Sequence, residues 1–293
     1  MVKIILDTDL GCDCDDVGAA AVLCSLAKAG EAEIVCAASC ISNPWGARML
    51  SYELASLGFP DVPVGALAEK DFMADDWCGR YARVYGENYH IPQPEFEDAV
   101  RVMRRALAEN NGGRDITLAA IGPLRNIANL LRSEGDDISP KSGRELIAEN
   151  VCEFVTMLGS VSRTDYCEWN VKCDIPSARY VISEMPVPTV FSPFELGDHI
   201  VTGNLLPTLP VGHVVREAYY IHEEEKKYTR FSWDPITVLC AVRKQNPLYE
   251  RRPLHVSIKE DGCFDVTTGD DMFTLVQKVP DEEVVHVIDA LMI

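Results

Sequence analysis

Residues 2–20 read VKIILDTDLGCDCDDVGAA, and this stretch decides the predicted fold. The apolar run at residues 2–6 ends in aspartates, which is typical of a buried parallel strand with polar groups at its carboxyl end. Residues 17–29 then predict a helix that Gly30 ends. A strand followed at once by a helix begins a strand–helix–strand unit, so we expect a parallel sheet.

The alternation of strands and helices continues over the first two thirds of the chain. It predicts a single domain over residues 1–293, with an α/β fold whose mostly parallel central sheet carries helices on both faces. Further strands are predicted at residues 34–39, 62–66, 116–121, 152–158 and 188–192, and helices at 47–57, 96–110, 124–132, 175–184, 211–226 and 234–244.

Two regions depart from this alternation. Residues 254–259, 263–267 and 273–278 predict short antiparallel strands near the C-terminus, before a final helix that begins at Pro280. Residues 67–94 are aromatic and irregular, and they predict a long loop over a site. Ligands bind at the carboxyl ends of the strands in such sheets, so polar residues directly after a strand are functional candidates.

Composition and charge narrow the class of protein. The chain has 27 lysines and arginines against 46 aspartates and glutamates, a formal charge of −19, which predicts that neither nucleic acid nor membrane is a partner. The N-terminus lacks the layout of a signal peptide, and no apolar run approaches the roughly 20 residues of a spanning helix. The 11 cysteines include no CxxC pair, so we expect reduced thiols in a cytoplasmic protein.

Five aspartates fall within ten residues at the end of the first strand: Asp7, Asp9, Asp13, Asp15 and Asp16. Like charges this close raise one another's pKa values unless something compensates them. Helix capping explains one aspartate, and the helix N-terminus stabilises each negative charge by only about 0.3–1 kcal/mol. A hard divalent cation with oxygen ligands compensates the whole cluster, so the sequence predicts a metal site.

Five motifs, in order along the chain, resemble those of the inosine–uridine preferring nucleoside hydrolases. The N-terminal signature of that family is close to DxDxGxDDxxA, and residues 7–19 match it with two extra positions around residues 12–14. The other matches are Gly122-Pro123-Leu124-Arg125-Asn126 to GPLTN, Met157-Leu158-Gly159 to MGG, Glu168-Trp169-Asn170 with Asp174 to EFN…D, and Trp233-Asp234-Pro235 to HDP. The resemblance covers residues 3 to about 243 and implies a Rossmann-like nucleoside hydrolase fold.

The resemblance implies Ca²⁺-dependent hydrolysis of the N-glycosidic bond of ribonucleosides. By position, the implied calcium ligands are Asp9, Asp16, the carbonyl of Ile121 and Asp234. Asp9 also matches the proposed general base, which takes a proton from water. Capping of the helix that begins at Pro235 would explain Asp234 as well.

The resemblance also implies a set of ribose ligands. Asp15 resembles the aspartate that holds the ribose hydroxyls, but the extra Asp13 leaves open which of the two has that role. Glu168 and Asn170 resemble further hydroxyl ligands, and Asn43 is another candidate. Each of these two residues also has a simpler explanation. Glu168 would be a charged surface residue, and Asn43 would be a turn residue before Pro44.

Two substitutions depart from the family pattern. Ser162-Arg163 stands where an asparagine often precedes the glutamate, and Trp233 replaces the histidine proposed as leaving-group acid. A tryptophan there resembles the purine-specific members, which stack the base between tryptophans, and Trp77 is the candidate for the second ring. The alternative is that Trp233 packs in the core and Trp77 packs in a cluster within the loop.

Three functional hypotheses follow. The first is a ribonucleoside hydrolase that favours purine nucleosides and forms a homodimer or homotetramer. The second is a binding protein that keeps the calcium and diol site without turnover, because Trp233 replaces the leaving-group acid. The third is a haloacid-dehalogenase-like phosphatase with Asp7 as nucleophile, although residues 269–274 do not match the late motif of that family.

Overall fold

The computed structural model describes all 293 residues. Its strands are β1 (Val2–Thr8), β2 (Ala32–Ser39), β3 (Val64–Ala66), β4 (Glu97–Asp98), β5 (Ile116–Ala120), β6 (Val151–Met157), β7 (Thr189–Ser192), β8 (Val201–Thr202), β9 (Arg230–Phe231), β10 (Tyr249–Ile258) and β11 (Phe264–Gln277). Its α-helices are α1 (Asp15–Lys28), α2 (Pro44–Ser56), α3 (Arg80–Tyr89), α4 (Ala99–Glu109), α5 (Arg125–Arg132), α6 (Gly143–Asn150), α7 (Trp169–Cys173), α8 (Ile175–Glu184), α9 (Val214–His222), α10 (Asp234–Val242) and α11 (Asp281–Leu291).

Nine strands form one sheet in the order β10-β11-β7-β6-β5-β1-β2-β3-β4. All neighbours are parallel except β10 and β11, so the predicted α/β fold with its mostly parallel central sheet is confirmed. The predicted antiparallel tail is also present, but its strands are long rather than short. Residues 263–267 and 273–278, expected as two strands, belong to the single strand β11.

The order of strands reverses at β1. The chain runs outward from β1 to β2, β3 and β4, and then returns to place β5 on the other side of β1. The helices that follow β1 and β5 therefore leave the sheet on opposite faces, which opens a crevice beyond the carboxyl ends of these two strands.

Two apolar layers hold the helices against the sheet. Side chains alternate along a strand, so Ile4 and Leu6 of β1 face one layer while Ile5 faces the other. The first layer packs helices α1, α2, α3, α9, α10 and α11, and the second packs α4, α5, α6 and α8. The predicted helices on both faces are thus confirmed.

One prediction about local structure was wrong, and two short helices were not predicted. Residues 67–94 contain a 3-10 turn at Trp77–Gly79 and the helix α3, rather than only a loop. Helix α3 is polar overall and is held by Tyr81, Ala82 and Tyr85, which reach the core through tertiary packing that local periodicity does not reveal. Helices α6 and α7 were missed because each is only five to eight residues long.

Neither disulfides nor membrane-spanning helices contribute to this fold. All 11 cysteines are free thiols, and eight of them are buried: Cys12, Cys14, Cys24, Cys36, Cys40, Cys78, Cys240 and Cys263. None of the helices combines the length and the hydropathy that crossing a lipid bilayer requires.

Glu53 on α2 is a buried carboxyl group outside the crevice. It is 0% exposed, and neither of its oxygen atoms has a hydrogen-bond partner. Burial raises its pKa well above the usual range, because the charged form loses its hydration. A buried carboxyl group without partners destabilises the fold wherever the unfolded chain can ionise it.

Replacing this group with methionine in Glu53→Met is expected to raise the free energy of unfolding, and the gain should grow with pH. The unfolded glutamate ionises above about pH 4.3, whereas the folded one resists ionisation, so the gain rises by up to about 1.4 kcal/mol per pH unit. Urea unfolding at pH 5, 7 and 8.5 measures it. Glu33→Gln, at an exposed position of β2, is the matched control and should show no such trend. A gain that is the same at all three pH values would contradict the interpretation.

Candidate active site

A cavity of about 490 Å³ lies at the reversal point, beyond the carboxyl ends of β1, β5 and β6. Ten of the eleven site residues predicted from sequence line it: Asp9, Asp13, Asp15, Asp16, Trp77, Ile121, Glu168, Asn170, Trp233 and Asp234. A larger groove of about 840 Å³ lies between α8 and the β10–β11 hairpin, and none of these residues line it.

Three buried aspartates form the carboxylate cluster of this cavity: Asp15, Asp16 and Asp234. One oxygen atom from each lies within 4.8 Å of the others. Asp15 and Asp16 occupy the first turn of α1, and Asp234 begins α10. Burial and mutual repulsion raise the pKa of all three well above the usual range.

Few groups offset the negative charge of the carboxylate cluster. Asp15 accepts hydrogen bonds from the backbone N–H groups of Trp233 (3.0 Å) and Asp234 (3.2 Å), and Asp16 accepts one from the Thr8 hydroxyl. No lysine or arginine forms an ion pair with any of the three. The donor set consists only of oxygen atoms, which fits a hard divalent cation and not a soft metal.

Asp9 lies beside the carboxylate cluster, just past the end of β1. Burial raises its pKa to about 7, with repulsion from Asp13 and Glu168 adding to the shift. Its backbone packs against Gly122, where a Cβ atom would stand 2.6 Å from the Asp9 Oδ1 atom. The glycine of the GPLRN motif is therefore required by the close approach of Asp9.

Glu168 and Asn170 occupy the N-terminus of α7. The Glu168 carboxylate accepts hydrogen bonds from the backbone N–H groups of Gly159 (3.0 Å), Asn170 (2.8 Å) and Val171 (3.3 Å). Burial nonetheless raises its pKa to about 7. The Asn170 side-chain amide donates to the Ile121 carbonyl at 3.1 Å, so the predicted carbonyl ligand and the predicted ribose ligand are in direct contact.

Asp13 is set apart from the other aspartates by an ion pair. The Arg230 guanidinium donates to both of its oxygen atoms, at 3.0 and 3.1 Å from Nε and 2.5 Å from Nη2. Burial acts to raise the pKa of Asp13, but Arg230 outweighs it and lowers that pKa. The two extra residues of the first motif thus place a neutralised carboxylate in the cavity wall.

Asp7 is absent from the cavity, which removes the phosphatase hypothesis. Its side chain is 0% exposed, and its Oδ1 atom accepts a hydrogen bond from Asn126 at 2.8 Å. Burial raises its pKa to about 8, so the protonated form dominates at neutral pH. A buried carboxylic acid with no access to the cavity cannot serve as a nucleophile.

Asn43 is the one predicted site residue that does not line the cavity. Its side-chain oxygen caps α2 by accepting from the Trp45 backbone N–H, and its amide donates to the Asp75 carbonyl. Through these contacts Asn43 acts as a turn and capping residue, as its position before Pro44 also suggests. The structure therefore corrects its assignment as a hydroxyl ligand.

Aromatic side chains form the outer walls of the cavity. Trp77 packs edge-on against Trp169 with ring centroids 5.5 Å apart, and these rings are 56% and 45% exposed. On another wall Trp233 stacks against Phe194 at 5.7 Å, and its indole N–H donates to the Phe194 carbonyl at 2.8 Å. Exposed tryptophans in a cavity offer faces on which a planar ligand can stack.

The lining also contains eight residues outside the set of predicted site residues: Cys12, Arg80, Met157, Trp169, Phe194, His222, Glu224 and Arg230. His222 and Arg230 lie on either side of the run of charged residues 223–227. The motif match at residues 168–170 was a signal for Trp169. His222 and Arg230 gave no local signal, because their neighbours in the cavity are far away in sequence.

Residues 4–291 match the sequence profile of the inosine-uridine preferring nucleoside hydrolases. No curated protein matches the chain.

Solved structures share the fold at low sequence identity. One is a plant nucleoside hydrolase, PpNRh1, with 18% identity and a TM-score of 0.74, covering 99% of this chain and 98% of that one. Another is an inosine-guanosine nucleoside hydrolase, with 17% identity, a TM-score of 0.76 and the same coverage. A third is an inosine-uridine preferring nucleoside hydrolase from Bacillus anthracis, with 15% identity and a TM-score of 0.71, covering 100% and 99% of the two chains.

The family match spans nearly the whole chain, and the cavity brings together the five motifs that first suggested it. The chain therefore belongs to the inosine-uridine preferring nucleoside hydrolase family and is a ribonucleoside N-glycosyl hydrolase.

Proposed function

We propose that the chain hydrolyses purine ribonucleosides to free base and ribose, with water activated by Asp9 beside a bound calcium ion. The observation that carries the proposal is the carboxylate cluster beside Asp9, at the bottom of a cavity with tryptophan walls. This arrangement pairs an acidic site suited to a cation and a diol with an aromatic site suited to a planar base.

The residues that would hold calcium are Asp9, Asp16, Asp234 and the carbonyl of Ile121, with Asp15 close by. Their oxygen-only chemistry fits Ca²⁺, which takes six to eight oxygen ligands, and the Ile121 carbonyl keeps a second lone pair beyond its bond to Asn170. Calcium bound there would supply the positive charge that neutralises the cluster and the Lewis acidity that orients water and a ribose diol.

Asp9 is the proposed general base. Its carboxylate lines the cavity beside the carboxylate cluster, where it can accept a proton from water held next to the cation. Asp9 removes one proton from water, the water oxygen forms a bond to the anomeric carbon, and the glycosidic C–N bond breaks with its electron pair moving to the base. The base takes up one proton as it leaves, and Asp9 returns its proton to solvent. The products are ribose and the free base.

Asp15, Glu168 and Asn170 are the proposed ribose ligands. We assign the hydroxyl-holding role to Asp15 rather than Asp13, because Arg230 already occupies both oxygen atoms of Asp13. Backbone N–H groups fix the Glu168 carboxylate in place, so it can accept a hydroxyl hydrogen bond without losing side-chain entropy. Rigid hydroxyl ligands orient the anomeric carbon toward the attacking water.

The assembly and the compartment of the protein are also proposals. The family resemblance supports a homodimer or homotetramer, which light scattering on the purified chain measures. The 11 free cysteines support a reducing compartment such as the cytoplasm.

Ribose release is expected from inosine, adenosine and guanosine in the presence of calcium, and it should fall at least about 10²-fold in Asp9→Asn. A chelator should abolish it in the wild-type protein. Asp261→Asn, at an exposed hairpin turn, is the control for a lost aspartate and should keep full activity. Tight binding of a ribonucleoside without any ribose release would instead favour the hypothesis of a non-catalytic binding protein.

Calcium is expected to raise the midpoint of thermal unfolding by several degrees, because only the folded chain assembles the site. At a free concentration 100 times Kd the stabilisation is about 2.7 kcal/mol. Asp234→Asn should lose this shift, whereas Asp13→Asn should keep it, since Asp13 is paired with Arg230. Calorimetry with and without calcium measures both, and a shift lost only in Asp13→Asn would contradict the ligand assignment.

Truncating one aromatic wall in Trp77→Ala is expected to raise KM for inosine more than KM for uridine. Stacking of a base on an aromatic ring contributes about 1–3 kcal/mol, or roughly 5- to 150-fold. The partly exposed Trp77 ring can be removed without opening the core. Trp45→Phe, which changes a tryptophan on α2 outside the cavity, is the matched control. Equal changes for purine and pyrimidine nucleosides would argue against stacking on Trp77.

A further inference from the structure

A purine base leaves poorly as an anion, so an acid on the cavity wall assists its departure. Trp233 cannot provide one, because an indole N–H is not acidic and its hydrogen is committed to the Phe194 carbonyl at 2.8 Å. Arg80 and Arg230 stay protonated at any working pH. The carboxylates of the cluster lie together at the proposed cation site rather than in the aromatic wall.

His222 is the only one of the six histidines that lines the cavity. It is the last residue of α9, at the end of the helix that faces the cavity. Its ring packs edge-on against Tyr81 with centroids 5.6 Å apart, and its side chain is 20% exposed. The position combines access from the cavity with a fixed ring.

The hydrogen bonds of His222 leave one nitrogen free for a ligand. Nδ1 lies 3.2 Å from the Glu223 carboxylate, which orients the ring. Nε2 lies 3.7 Å from Asp13 Oδ1, beyond hydrogen-bond distance but close enough to stabilise a positive charge. The Nε2–H group of the imidazolium therefore donates to no protein acceptor and can donate to a ligand in the cavity.

The charges around His222 are nearly balanced. Asp13 pairs with Arg230, and Glu223 pairs with Lys227 at 2.9 Å and with Arg230 at 3.9 Å. Asp13 and Glu223 therefore each form an ion pair with an arginine or a lysine, and neither pairs with His222 alone. The other titratable groups nearby are Cys14, Tyr81, Arg80 and Glu224, the last two on the cavity lining.

We propose that His222 is the catalytic acid that protonates the departing base, an inference that rests on the proposed nucleoside hydrolysis. As the glycosidic C–N bond breaks, its electron pair moves into the purine ring, and His222 Nε2 transfers its proton to a ring nitrogen, so the base leaves neutral. Asp9 gains the proton that water loses. Return of one proton from Asp9 to His222 through solvent restores both groups, and the net reaction consumes one water.

Leaving-group dependence in His222→Gln tests this role. Inosine needs protonation of its base, whereas p-nitrophenyl β-ribofuranoside releases a phenolate that is stable as an anion. The variant is expected to lose about 10²- to 10⁴-fold in kcat with inosine and to keep the p-nitrophenyl activity within about threefold. Asp9→Asn should lose both activities. His255→Gln, on β10 outside the cavity, is the matched control and should keep both.

Equal losses with both substrates, or no loss with inosine, would overturn the role of His222 while leaving the hydrolase activity established. A wild-type protein that releases ribose from neither glycoside would overturn the proposed function and this inference together.

Discussion

Repulsion among buried carboxylates is the constraint on which the rest of this structure depends. Asp15, Asp16 and Asp234 lie within reach of one cation, and Asp9 lies beside them. Burying such charges without compensation costs several kcal/mol each. The Thr8 hydroxyl and the backbone N–H groups at the start of α10 offset part of that cost, and a bound cation would offset most of the remainder.

The sheet topology explains how these carboxylates meet. Asp9 follows β1, Asp15 and Asp16 begin the helix after it, and the Ile121 carbonyl follows the neighbouring strand β5. The reversal of strand order at β1 leaves this edge uncovered, so α7 and α10 can approach it by their N-termini. Helix N-termini carry free N–H groups and positive dipole ends, which suits a site built from carboxylates.

The cavity walls carry a different charge pattern from its acidic interior. The pair of Asp13 with Arg230 turns an aspartate of the first motif into a neutral element of the wall, and the same pair approaches His222. Trp233 places an aromatic stacking surface where the family resemblance implies a histidine that acts as an acid. A histidine from α9 compensates for that change in the mechanism we propose, so acid and stacking ring come from separate elements.

The sequence by itself determined the alternating fold and identified ten of the 18 residues that line the cavity, because both produce local patterns. Short apolar runs mark the parallel strands, and the family motifs together with Trp77 account for ten residues of the cavity lining. Only the tertiary structure decided that Asn43 caps a helix and that Asp13, not Asp15, pairs with an arginine. It also placed His222 in the cavity. Asp13 and Arg230 are 217 positions apart, and contacts across such distances depend on how helices pack on the sheet, which no local pattern records.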